Sequence, residues 1–243
     1  GQVVGVELSN GEVLSANQVV DARGDNSTIM CDLVDSVSDS ARLRQIETQV
    51  AVDIHYRTTI LRGVDLTHQY YEQPHPLLRS FGAVLTPIEH GDAVLTTIHY
   101  PDSEHLTASL SDSLAVLKNP NFIAAFNRAQ DRSKVASYAF RRSLWRRFGD
   151  LQHWPNGLSV VGDAVHRLNP VFGQGMTVTA LCIEALLRHL QRPSGGFQAE
   201  VDRLVRWPWI MSSQTPHSFG AKAIDLALRA AFSSRRLHRS FLS

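Results

Sequence analysis

The chain has 243 residues, 43% of them hydrophobic and 19% charged, the composition of a globular protein large enough to bury a substantial core. Its 24 basic residues are balanced by 23 acidic ones, which argues against a nucleic-acid binder that depends on bulk positive charge. Cys31 and Cys182 stand far apart with no CxxC, HExxH or close Cys/His cluster, and no apolar run spans a membrane, so a metal-free protein of the reducing cytoplasm is expected.

In chain order, Val3–Leu8 and Glu12–Leu14 alternate around Ser9-Asn10-Gly11, a hairpin signal. Gln18–Ala22 reads as a short buried strand that runs into the polar, Gly-containing loop 23–27. Residues 31–44 are Asp- and Ser-rich, a loop or short exposed helix. Ile46–Ile60 alternates with many β-branched residues, and Ser80–Leu85 with Ala93–Tyr100 forms a second strand pair around Glu89–Asp92. This middle block is expected to be an antiparallel sheet with one wet face. Leu110–Leu117 and Phe122–Arg128 look helical, and Tyr138–Arg147 is aromatic and Arg-rich. Leu158–Val161 is a short apolar strand, Met176–Leu190 has helical spacing, and 191–196 is its stop. Residues 198–213 and 221–242 read as further helices.

The loop VVGDAVHRLNPVFGQGMT, residues 160–177, carries the chemistry. Asp163 follows an apolar strand and Gly162, which places its carboxylate at the carboxyl end of a sheet, where ligands of open α/β sheets gather. A carboxylate there accepts hydrogen bonds from hydroxyls, as of a ribose or ribityl chain, and repels phosphate. Gly173 and Gly175 let backbone approach a flat ring closely. The helix that follows aims its free N–H groups at the same place, favouring negative charge. A bare strand-to-helix connection has similar composition; the order Gly-Asp, Asn-Pro, Gly-Gln-Gly is the more specific signal.

That order resembles the second flavin motif of the para-hydroxybenzoate-hydroxylase-like FAD-dependent monooxygenases, the group A aromatic hydroxylases with related epoxidases and ubiquinone-pathway hydroxylases. The resemblance implies that Gly162 and Asp163 meet the ribityl part of FAD. It also implies that Pro170 borders the flavin and that Gly173, Gln174, Gly175 and Met176 surround its pyrimidine edge. QVVDARGDNS, residues 18–27, is similar to the family's shorter motif, with Arg23 in place of the usual Thr or Asp and Asp25 in place of the usual Arg. Trp207-Pro208-Trp209 resembles a helix of some actinobacterial members, and it partly echoes the Trp-x-Trp-x-Ile-Pro motif of flavin-dependent halogenases without its Ile-Pro ending.

The implied fold is α/β (α+β). It comprises an incomplete Rossmann-like FAD-binding domain (1–44 and 149–196), an antiparallel substrate-domain sheet (45–148) and C-terminal helices (197–243). No Gly-x-Gly-x-x-Gly occurs in the sequence, so the pyrophosphate cradle that the family needs is missing. The expectation is a fragment incompetent alone, whether truncated, split or degenerate, and a separate N-terminal FAD-binding polypeptide is one source of the cradle.

The implied reaction uses FAD, NAD(P)H and O2 to hydroxylate or epoxidise a small organic substrate. A non-catalytic remnant or partner subunit, and an FAD-dependent reductase of unsaturated lipids, stand as alternatives. No catalytic acid or base is assigned. His166 is read as a loop hydrogen-bonding residue, and Arg141 and Arg142 as scaffold or pocket rim. Tyr56, His99 and Tyr100 face either substrate or solvent, depending on strand register.

Overall fold

The computed structural model describes residues 1–34, 43, 45–72, 81–100, 108–192 and 196–213; the helix expected at 221–242 lies outside them. Contacts divide the chain into two units, one made of Gly1–Ala51 with Arg142–Ser213 and the other containing Val52–Arg141.

The first unit begins with an antiparallel hairpin, β1 (Gly5–Glu7) and β2 (Val13–Ser15), at the expected turn. Strand β3 (Val19–Asp21) leads to α1 (Ile29–Val34). Of the loop or short exposed helix expected at 31–44, the described start is helical and exposed at Cys31, Asp32 and Val34, while Leu33, with Ile29 before it, is buried. An i, i+4 apolar pair on one face is enough to seat a short helix on a core. Strand β10 (Leu158–Val160) runs parallel to β3, and β11 (His166–Arg167) pairs with Leu144–Trp145. Helix α4 (Gly175–Gln191) buries Val178, Cys182, Ala185 and Leu186. Helix α5 (Phe197–Ser212) buries Phe197, Val201, Val205 and Trp209, again one side of a 3.6-residue period. These join Trp145, Phe148, Val160 and Val161 in one core, each large side chain contributing about 1.5–3 kcal/mol by its burial. Trp209 packs 5.8 Å from Trp145 while Trp207 is largely exposed. The Trp-Pro-Trp segment is thus a helix with one anchoring ring.

The second unit is an antiparallel sheet covered on one face by two helices, as the alternating middle block implies. Its strands are β4 (Glu47–Arg62, which enters from the first unit), β5 (Tyr70–Glu72), β6 (Gly82–Pro87), β7 (Ala93–His99), β8 (Asp131–Arg132) and β9 (Ala136–Arg146). The order is β9-β4-β7-β6-β5, with β8 on β4. Helix α2 (Leu110–Ala115) opens on Ser109, whose hydroxyl accepts the Asp112 N–H at 3.1 Å, a capping interaction; α3 (Asn121–Arg128) follows. Leu61, Leu85 and Leu95 point to the helices and meet Leu114 and Phe122 in the second core. Register settles the open question of faces. His99 pairs with His55 and shares the helix-covered side of β7 with Leu95, whereas Tyr56 pairs with Ile98 on the other side.

The Arg-rich run forms β9 and its end, and each of its arginines has a carboxylate within 4 Å, that of Arg142 being shared with Arg167. Arg141 pairs with Asp53, Arg142 lies 3.9 Å from Asp25, Arg146 meets Glu47 at 2.9 Å and Arg147 meets Asp150 at 3.1 Å. Such pairing offsets most of the positive charge that a nucleic-acid backbone would need along this run.

Candidate functional site: two loops at the carboxyl end of a parallel strand pair

The parallel ladder sets Leu158 against Val19 and Val160 against Asp21, and the Val161 N–H continues it to the Asp21 carbonyl at 3.0 Å. Both strands therefore end together, and both release a 3-10 turn at the same edge: Gly24–Asn26 from β3 and Gly162–Ala164 from β10. The turns adjoin, since a Cβ on Gly24 would lie 3.9 Å from that of Asp163. Gly162 has φ 65°, a left-handed conformation that lets the chain reverse directly after the strand. A Cβ there would lie 3.8 Å from Thr179, so the first turns of α4 stand against this bend.

The first loop is closed by its own charges. Asp21 is buried, and its carboxylate accepts a fork from Arg23, Nε at 3.2 Å and Nη2 at 3.0 Å, together with the Ser27 hydroxyl and the Arg23 N–H. Burial pushes its pKa up, but the hydrogen bonds from Arg23 and Ser27 outweigh this and hold the group below the ordinary carboxylate range. Arg23 also reaches Thr28 and Asp32. Asp25 receives Arg167 of the second loop at 2.6 Å. The two residues that depart from the family pattern are thus both committed to internal ion pairs.

The second loop is buttressed from behind. Buried Arg146 donates from Nη1 to the Ala164 carbonyl and from Nε to Glu47, each at 2.9 Å. Burial raises the Glu47 pKa, and the Arg146 hydrogen bond more than reverses that, leaving it lowered. Gln198 of α5, also buried, accepts the Val160 N–H at 3.0 Å and donates to the Val160 carbonyl at 3.3 Å, sealing the far edge of β10. Asn169 caps the turn Pro170–Phe172 by accepting the Val171 N–H, and Gly173, at φ 66°, ends it. His166 differs from expectation: it is 1% exposed, and neither ring nitrogen has a hydrogen-bond partner among the described residues. Burial lowers its pKa to about 4, so it is a neutral packing residue of β11. Arg146 and Gln198 escaped sequence reasoning, and Arg167 had only one signal, a cation in one motif opposite the unusual Asp25 of the other.

What the second loop leaves open is equally specific. The exposed Asp163 carboxylate has no hydrogen-bond or ion-pair partner among the described residues. Crowding by the surrounding chain raises its pKa; Arg167 opposes this and Asp25 adds to it. The Gln174 Oε1 is enclosed without a partner. Gly173 and Gly175 face open space where a Cβ would sit. Backbone conformation accounts for Gly173, but Gly175 is an ordinary first helical residue with no positive φ. Met176 is 87% exposed. A free carboxylate acceptor, an enclosed amide oxygen, a bare helix start and room beside two glycines fit a ribityl chain and the N–H-bearing edge of a flavin. No cluster able to hold a metal occurs among the described residues, and no described helix is long and apolar enough to cross a membrane.

No protein-family model matches the chain. Its fold is that of flavin-dependent monooxygenases. PqsL, a probable FAD-dependent monooxygenase from Pseudomonas aeruginosa, matches with a TM-score of 0.56 and 19% identity over 92% of this chain and 63% of its own. The flavin-dependent brominase Bmp2 gives 0.53 and 16% identity over 85% and 52%. The tetrameric 2-methyl-3-hydroxypyridine-5-carboxylic acid oxygenase gives 0.50 and 18% identity over 93% and 58%. Likeness at such identities concerns the fold alone.

Among curated sequences, protein Rv3254 of Mycobacterium tuberculosis is 30% identical over 230 residues, covering 88% of this chain and 47% of that protein. The chain spans about half the length of the curated relative it matches.

Proposed function

We propose that this chain forms the flavin-edge and substrate-sheet portion of an FAD-dependent monooxygenase, which hydroxylates or epoxidises a small organic molecule using NAD(P)H and O2. The observation that carries the reading is the Asp163 carboxylate, unpartnered among the described residues, at the carboxyl end of the parallel strand pair, in a loop whose backbone is held from behind by Arg146. FAD, when bound, supplies the redox and oxygen-activating chemistry. Asp163 accepts hydrogen bonds from ribityl hydroxyls. The Gln174 Oε1 and the first N–H groups of α4 serve the pyrimidine edge, and the positive helix end favours negative charge there. Gly173, Gly175 and Met176 leave the ring room to approach, Pro170 borders it, and Gly162 makes the bend that presents Asp163. These groups orient the cofactor, and none is asked to move a proton.

The sequence holds no Gly-x-Gly-x-x-Gly, so the pyrophosphate cradle comes from another segment, adjoining or separate, and this chain by itself binds FAD more weakly than micromolar. A second reading, a partner subunit without redox activity, draws on the first loop, where Arg23 and Asp25 are spent on internal ion pairs. Co-expression with a strand–turn–helix segment carrying that glycine pattern decides between them. A yellow complex that loses flavin about tenfold more readily in Asp163→Ala supports the first reading. A colourless complex, or flavin retention untouched by Asp163→Ala, overturns it. Oxygen consumption coupled to NAD(P)H oxidation then separates a monooxygenase from a reductase of unsaturated lipids.

A further inference from the structure

The sheet face turned away from α2 and α3 carries a group of phenols that the flavin reading does not use. Register sets Tyr56 opposite Ile98 and Thr58 opposite Thr96, then Thr96 opposite Val84 and Val84 opposite Tyr71, so these side chains share one face. Tyr100 follows Ile98 by two residues toward the same side. The Tyr56 and Tyr138 rings lie 6.2 Å apart between centroids. Tyr71 and Tyr138 leave 52% and 56% of their surfaces exposed. Burial, and then the neighbouring phenols of Tyr100, Tyr138 and Tyr71, raise the Tyr56 pKa above the ordinary tyrosine value; burial raises that of Tyr71. Both hydroxyls therefore remain neutral groups able to donate and accept. From Tyr56 across to Tyr71 the described side chains on this face are the half-buried Thr96 and Val84 and the buried Ile98, none of them charged, and the charges of Asp53 and Arg141 are paired with each other.

We infer that this face binds an uncharged, flat, fused-ring small molecule, stacked against Tyr56 and Tyr138 and reaching toward Tyr71. Breadth is one reason. From β9 to β5 there are four strand spacings, about 19 Å of backbone, and a lone six-membered ring meets one phenol where an extended ring system meets several. Chemistry is the other. A flexible aliphatic chain is served as well by Leu or Ile, whereas phenol faces add stacking that only another π system returns. Among the described residues a small carboxylate finds neutral phenols and no cation between Tyr56 and Tyr71. The substrate role of such a ligand rests on the proposed function; its binding needs no flavin.

The test uses the chain alone and three probes: quinizarin (three fused rings, neutral), farnesol and benzoate. Quinizarin fluorescence should rise and saturate, with Tyr56→Ala and Tyr138→Ala each weakening binding by about tenfold and Tyr56→Phe keeping most of it. Tyr138 is exposed, so its variants should retain the wild-type circular dichroism and melting profile. Displacement of quinizarin by farnesol or benzoate at concentrations near the quinizarin Kd overturns the inference, as do alanine variants that bind like wild type. A dimer dispersed by Tyr138→Ser, with no quinizarin binding, overturns it in favour of self-association. Because FAD is absent throughout, failure here leaves the flavin-retention experiment standing, and failure there leaves this one standing.

Discussion

Two aspartates stand at the carboxyl ends of the two parallel strands, and the chain treats them oppositely. Asp21, the last residue of β3, is buried, forked by Arg23, bonded by Ser27 and held below the ordinary carboxylate range. Asp163, three residues past the end of β10, is exposed, unpartnered among the described residues and shifted upward. Residue type and strand context are alike, so the difference lies in the loops. One loop consumes its donors to fix its own shape. The other takes its main support from behind, through Arg146 and Gln198, and leaves its front free. A carboxylate that the fold does not need is the kind a ligand can use.

The comparison breaks hardest if the support behind the second loop is removed. Arg146→Ala would orphan the buried Ala164 carbonyl and leave the Glu47 carboxylate with Gln49 but no ion-pair partner among the described residues, and a loss of about 2 kcal/mol is expected from opening one side of such a network. Urea unfolding followed by tryptophan fluorescence measures it. A loss below about 1 kcal/mol would show that the buttress is incidental.

Of similar size is Asp21→Asn, with an expected loss of about 2 kcal/mol at neutral pH from the broken Arg23 fork and Ser27 bond. Its pH dependence carries a sign. A carboxyl whose folded pKa is lowered contributes fully above the unfolded value, and the contribution disappears as pH falls through the folded one. The gap between wild type and Asp21→Asn should therefore close in acid, below the ordinary carboxylate range. A gap that persists there would assign the loss to shape and not to charge.

How much of this was readable beforehand follows from distance along the chain. The strand, Gly-Asp, Asn-Pro and Gly-Gln-Gly order is local, so Gly162, Asp163, Gly173 and a helix from Met176, which the structure begins one residue earlier at Gly175, stood out of the sequence. The β-branched alternation of β4 was likewise local, although its kink at Asp53, with φ 51°, was not. Arg146 meets a partner 99 positions away and Gln198 one 38 away, and no periodicity encodes such pairs. Strands of two residues, β8 and β11, are too short for a period to show. The faces of Tyr56 and His99 needed the β4–β7 register, because a slip of one residue exchanges them.

The smallest effect tests the other half of the comparison. Asp163→Asn should change the stability of the chain by no more than about 0.5 kcal/mol, since an exposed group without partners has little to lose. The direction is still informative. A carboxyl whose folded pKa is raised binds its proton more tightly in the folded state, so ionisation works against folding as pH rises through the folded value. Any difference should thus favour the Asn variant near neutrality and vanish in acid, opposite in sign to Asp21→Asn across the same window. A clear loss of stability at neutral pH would mean that the Asp163 carboxylate does hold the loop, and its availability to a cofactor would fall with that result.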